Sequence, residues 1–180
     1  MRKALFILGD LADEDLDWLV AAAKRQKLAE GDVLVREGVY SDSVYILLDG
    51  ALSVRIAARD YAEINVLHAG EFIGELSFLD SRPPSATVVA ARDSTVAAIP
   101  RAELKSKLER DTAFAARFYR ALGVFLAHRL RFQTARAAGG SGAPSLNDDV
   151  DAEGEIDPEL LDSVSLAATR FEWFQQRVAG

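Results

Sequence analysis

The run Gly74-Glu75-Leu76-Ser77, followed a few residues later by Ser85-Ala86-Thr87, gathers the side chains of this sequence with the most chemical potential. A glycine and a glutamate open a short apolar helix here. A helix N-terminus presents unpaired amides and a partial positive charge to an anion. The pattern predicts a phosphate-holding segment, with Gly74 allowing close backbone approach. Hydrolysis is a poorer use of the same residues. Ser85 and Thr87 need an adjacent base, and neither His68 nor His128 lies near them in sequence. The two histidines also lack the carboxylate spacing of a metal site and read as solvated polar positions. Neither catalysis nor a metal or other cofactor is expected. Against the binding reading stands a structural one, in which Glu75 merely stabilises the dipole of its own helix.

Such a segment needs a frame, and the sequence supplies one. Residues 13–24 fit a helix, with Asp13 as cap and Leu16, Leu19, Val20 and Ala23 at helical spacing. From Leu28 to Ile99 the texture changes to short β-rich runs: 33–35, 44–48, 51–56, 62–67, 85–90 and 95–99. Gly31, Gly38, Gly50 and Gly70 punctuate them as turns, and Pro100 ends the series. Evenly spaced short strands indicate a barrel or jelly roll instead of alternating βα units. A helix follows over 101–109, then a long one over 111–136. In the long helix Phe118, Leu122, Phe125 and Phe132 form a stripe that Arg129 interrupts, and Ala115, Tyr119, Leu126 and Leu130 widen it, which predicts packing on two sides.

Residues 137–156 read as a flexible acidic linker. A last amphipathic helix over 157–178, in a segment running to residue 180, takes Asp157 as cap and Pro158 as its first residue. Leu160, Val164, Ala167, Phe171, Phe174 and Val178 line one face, which predicts docking on this chain or on a protein partner. The net charge of −7 is uneven: residues 1–136 carry 19 basic and 19 acidic residues, and residues 137–180 carry 2 and 9. The body therefore lacks the basic excess of a duplex-binding surface, and no apolar run approaches the ~20 residues of a membrane span. Cysteine is absent, which removes thiol chemistry and fits a cytoplasmic location.

Residues 31–54, GDVLVREGVYSDSVYILLDGALSV, and 70–90, GEFIGELSFLDSRPPSATVVA, resemble the cyclic nucleotide-binding domain family, over roughly residues 5–135. The resemblance implies a mainly β fold with α: a double-stranded β-helix (jelly-roll or β-roll) over 28–99, flanked by an N-terminal helix and C-terminal helices, with residues 1–136 as the domain. It implies that Gly74, Glu75, Leu76 and Ser77 cradle the phosphate of cAMP or cGMP, that Glu75 accepts a ribose hydroxyl, that Ser85 contacts the phosphate, and that Ala86 and Thr87 line the pocket. Val66, Phe72 and Ile73 are expected in its apolar wall. The family pattern places an arginine where this chain has Pro84, which has neither charge nor N–H. Losing that contact costs about 2–5 kcal/mol. Arg82 is a candidate substitute, because positions i and i+2 of a strand share a face, but a Pro-Pro pair favours polyproline II and turns it away. Arg55, Arg59 and Arg92 are weaker candidates.

Two functions remain open on this reading. One is a regulatory module that binds a cyclic nucleotide, or another small phosphate-bearing anion, and signals through its C-terminal helices, with homodimerisation through 111–136. The other is a ligand-independent scaffold for protein assembly, its site decayed at Pro84. A transcription factor is disfavoured: the tail after 136 holds one helix pattern, whereas a helix-turn-helix head needs two, and its acidic balance would repel DNA.

Overall fold

The computed structural model describes residues 5–137 and 158–178. Two short helices, α1 (Leu5–Asp10) and α2 (Asp13–Ala22), lead into β1 (Lys24–Leu28). The roll continues with β2 (Val33–Val35), β3 (Ser43–Asp49), β4 (Ala51–Arg55), β5 (Glu63–His68) and β6 (Phe72–Ile73). Helix α3 (Glu75–Asp80) interrupts it before β7 (Thr87–Ala90) and β8 (Ser94–Pro100) close it. Helices α4 (Arg101–Arg110), α5 (Thr112–Ala137) and α6 (Pro158–Val178) follow. The strands form two antiparallel four-stranded sheets in the orders β1-β8-β3-β6 and β2-β7-β4-β5. This is the β-roll that the turn spacing foretold.

Strand β3 shows why the roll needs its helices. Strand side chains alternate between faces. Tyr45 and Leu47 point into the roll with Leu52, Val54, Leu67 and Val88, whereas Val44, Ile46 and Leu48 face a second core built by the helices. In that second core Leu8, Leu16 and Leu19 meet Phe114, Phe118, Leu122 and Phe125 of α5 and Phe171 and Phe174 of α6. Gly50 closes the β3–β4 turn at φ +103, a conformation open mainly to glycine, and a Cβ there would lie 2.2 Å from Ser94 Oγ.

Several boundaries differ from expectation. The first helix stops at Ala22, and the polar run 24–28 joins β8 as an edge strand, its four exposed residues held by the ladder from Lys24↔Ala98 to Leu28↔Ser94. Helix α2 is capped at Ala12, not by Asp13: the Ala12 amide donates to Asp15 Oδ2 at 2.8 Å. In α5 the apolar stripe starts at Phe114; of the residues expected to widen it, Ala115 and Leu126 pack against the core, whereas Tyr119 and Leu130 are exposed. The side chains of Arg129, Phe132, Leu160 and Val164, the linker over 138–156 and the Asp157 cap lie outside the described residues.

Asp15 and Arg117 clamp α2 onto α5. The Arg117 Nε and Nη2 groups donate to Asp15 Oδ2 and Oδ1 at 2.6 and 2.9 Å, across 102 residues of sequence. Burial pushes the Asp15 carboxyl up, but the bonds from Arg117 and the Ala12 amide outweigh it and hold its pKa below the ordinary value. Helix α6 docks on its own chain. Arg170 reaches into the α1–α2 junction, donating to the carbonyls of Leu8, Gly9 and Leu11 at 3.1, 2.9 and 2.7 Å and to Asp13 Oδ1 at 2.7 Å. Gln175 Nε2 donates to the Leu48 carbonyl of β3. The face expected to dock on this chain or on a partner is thus covered by this chain over Ala167, Phe171, Phe174 and Val178.

Candidate functional site

A cleft opens inside the roll between the second sheet and α3. Its walls are Val35, Val54, Leu67, Ile73 and Val88, and its floor is the segment Gly74–Ser77. Pro84, Ser85 and Ala86 form the facing rim. Its enclosed volume is about 80 Å³, and about 490 Å³ when the open solvent at its mouth is counted.

Local backbone chemistry shapes the floor. Gly74 sits before α3 at φ +91, and a Cβ there would find ordinary contacts at 3.8 Å, so conformation and not space requires glycine. The first backbone bond of α3 runs from the Phe78 amide to the Gly74 carbonyl at 3.0 Å. The amides of Leu76 and Ser77 therefore precede the helical ladder. The loop after β2 braces the rim from outside. The Gly38 amide donates to the Pro84 carbonyl at 2.8 Å, the Tyr40 hydroxyl to the Ser81 carbonyl at 2.8 Å, and the Glu37 amide to Thr87 Oγ1 at 3.1 Å.

The predicted site residues divide accordingly. Gly74, Glu75, Leu76, Ser77, Ser85 and Ala86 line the cleft together, with Phe72 and Ile73 from the predicted wall. Thr87 does not: β7 alternation sends Ala86 and Val88 inward and leaves the Thr87 hydroxyl to the Glu37 amide. Val66 gives way to Leu67 for the same reason, one residue out of register. Arg82 also stands away. Its side chain is 83% exposed, its amide donates to Asp80 Oδ1 at 3.0 Å, and its guanidinium lies 3.9 Å from Asp80. Arg55 bonds Ser53 Oγ and Arg92 bonds the Gly50 carbonyl; neither they nor Arg59 line the cleft.

Glu75, 4% exposed, is therefore the one ionisable side chain among the described residues that lines the cleft. The cation that does touch the segment went unread in the sequence. Arg101, first residue of α4, donates from Nη2 to the Gly74 carbonyl at 3.2 Å and lies over the Phe78 ring at 5.8 Å, behind α3. Its burial lowers its pKa, against the pull of Tyr40, Tyr45 and Asp42. Only an arginine just after a strand-ending proline marked it. Ser77 is the second residue whose side chain sequence reasoning passed over. Its Oγ is buried and has no hydrogen-bond partner among the described residues; a buried hydroxyl left unpaired costs about 1–3 kcal/mol.

Residues 25–111 match the family model described as Cyclic nucleotide-binding domain. A cAMP-dependent protein kinase regulatory subunit from Blastocladiella emersonii is 30% identical over 118 residues, covering 64% of this chain and 29% of that protein. The chain thus spans under a third of this curated relative's length. Among solved structures, the N-terminal domain of a transcriptional regulator from Streptomyces coelicolor aligns with a TM-score of 0.56 at 32% identity, over 67% of this chain and 85% of that one. A cyclic nucleotide-binding domain from Methylobacillus flagellatus aligns with a TM-score of 0.67 at 23% identity, over 74% and 80%, and shows the shared fold.

Proposed function

Residues 25–111 form a member of the cyclic nucleotide-binding domain family, and from that premise we propose that the chain is a non-catalytic regulatory module that binds a cyclic nucleotide in the roll cleft. The observation that carries this reading is the open cleft whose floor and rim are Gly74–Ser77 and Ser85–Ala86. The phosphate lies against the amides of Leu76 and Ser77, Glu75 accepts a ribose hydroxyl, and Val54, Leu67 and Val88 flank the ligand. Pro84 at the rim makes the affinity low for the family, since no guanidinium lines the cleft.

The response runs outward through aromatic contacts. Phe78 of α3 and Phe72 beside the cleft each meet Phe118 of α5 at 6.3 Å, nearly edge-on. A shift of α3 on ligand binding is thereby felt by α5, and through the shared core around Phe125, Phe171 and Phe174 by α6. The ligand moves these helices only by its difference in affinity for their two arrangements. Tyr119 and Leu130, exposed on α5, offer apolar area to a second copy of the chain. Titration calorimetry with cAMP and cGMP up to millimolar concentration tests the binding. Saturable heat is expected for at least one nucleotide; no heat and no thermal stabilisation from either would leave only the scaffold.

A further inference from the structure

Ser77 lines the cleft, is 5% exposed, and keeps a buried hydroxyl without a partner among the described residues. Ser77 is the third residue of α3, too early in the helix to return its hydroxyl to a helical carbonyl a turn before it. Burying a polar group unpaired is a standing cost that folding alone gives no reason to keep, since alanine fits the same helix better. Alanine at position 77 is therefore expected to stabilise the free protein. No partner for it lies among the described residues, and the cleft that Ser77 lines is where a ligand can bring one.

Electrostatics narrows what that partner is. Among the described residues the only ionisable group lining the cleft is Glu75, and Arg82, Arg55 and Arg92 are engaged elsewhere. Arg101 lies behind α3, its Nη2 on the Gly74 carbonyl, so at the cleft lining an anionic ligand meets neutral donors: the amides of Leu76 and Ser77 and the hydroxyls of Ser77 and Ser85. Of these hydroxyls, that of Ser85 sits on the exposed rim, while Ser77's is enclosed, where a hydrogen bond gains most from low local polarity. One rotation about the Ser77 Cα–Cβ bond redirects the oxygen between staggered positions.

Resting on the cyclic-nucleotide reading of this cleft, we propose that the Ser77 hydroxyl is a ligand donor, bonding a phosphate oxygen in place of the absent guanidinium, so that the anion is held by neutral groups alone. The proposal has a signature that a merely structural serine lacks, because Ser77→Ala should act with opposite sign on the free and the bound protein.

The test compares the full chain and S77A by thermal melting without ligand and by calorimetry with cAMP and cGMP at low and high salt. Free S77A should melt about 2–4 °C higher, and should bind about tenfold more weakly. Wild-type affinity should not fall with salt, since no ion pair is there to screen. Equal affinity of the two proteins for a nucleotide that the wild type does bind overturns the Ser77 assignment and leaves the cyclic-nucleotide reading standing. A lower melting temperature for free S77A likewise overturns it, by showing the hydroxyl satisfied within the protein. Wild-type affinity that falls steeply with salt points to a cation as the anchor and also overturns it. Absence of binding by the wild type overturns both readings together.

Discussion

Replacing Pro84 by arginine should convert the cleft from neutral to charged recognition, and the structure sets the size of the effect. Pro84 lines the cleft, and its carbonyl already accepts the Gly38 amide at 2.8 Å, a bond that survives any side-chain change. The rim backbone is thus held while the new side chain enters. A charge-assisted contact to phosphate contributes about 1.5–3 kcal/mol. Ordering a long arginine side chain takes back up to about 1.5–2 kcal/mol, less when a planar fork meets two oxygens. The net gain is about 1–2 kcal/mol, which is about fivefold to thirtyfold in affinity. Calorimetry of P84R with cAMP and cGMP measures it, and affinity should now fall as salt rises, unlike the wild type. Unchanged affinity in a P84R protein that melts normally would refute the reasoning, because it would place the phosphate away from residue 84.

Phe174→Ala, which empties a fully buried position shared by α6, α1 and α5, should cost about 3–5 kcal/mol in urea denaturation; a loss below about 1 kcal/mol would mean that α6 is not part of this core. Asp15→Asn should destabilise the protein at neutral pH. Since the folded pKa of Asp15 lies below its unfolded value, the stabilisation is complete above about pH 4 and is lost as pH falls through the folded pKa. Stability curves of the two proteins should therefore converge in acid, and a gap that stays constant with pH would dismiss the clamp.

What could be read from the sequence follows from periodicity and turn chemistry. Strands β2 to β5 and the turn at Gly50 were legible because alternation and glycine placement are local properties. Strand β1 was not, because Lys24-Arg25-Gln26-Lys27 has no apolar face, and its pairing comes from β8, some seventy residues away. The short β6 at Phe72–Ile73 was hidden likewise, its two residues paired to Tyr45 and Ile46. In the site, residues 74–77 were legible as a contiguous motif. The inward or outward sense of Val66, Leu67, Ala86 and Thr87 was not, because a slip of one residue reverses it. Arg101 and the unpartnered Ser77 hydroxyl emerge only from packing, which spacing does not encode.

The most direct test of the account is amide-resolved NMR of the intact chain titrated with cAMP and with cGMP. The account predicts saturable shifts that are largest for the amides of Leu76 and Ser77 and for residues on the walls at Val54 and Leu67, with smaller changes reaching α5 at Phe118. Spectra unchanged by millimolar amounts of both nucleotides, or shifts confined to the outer surface of α4 and α6, would contradict it.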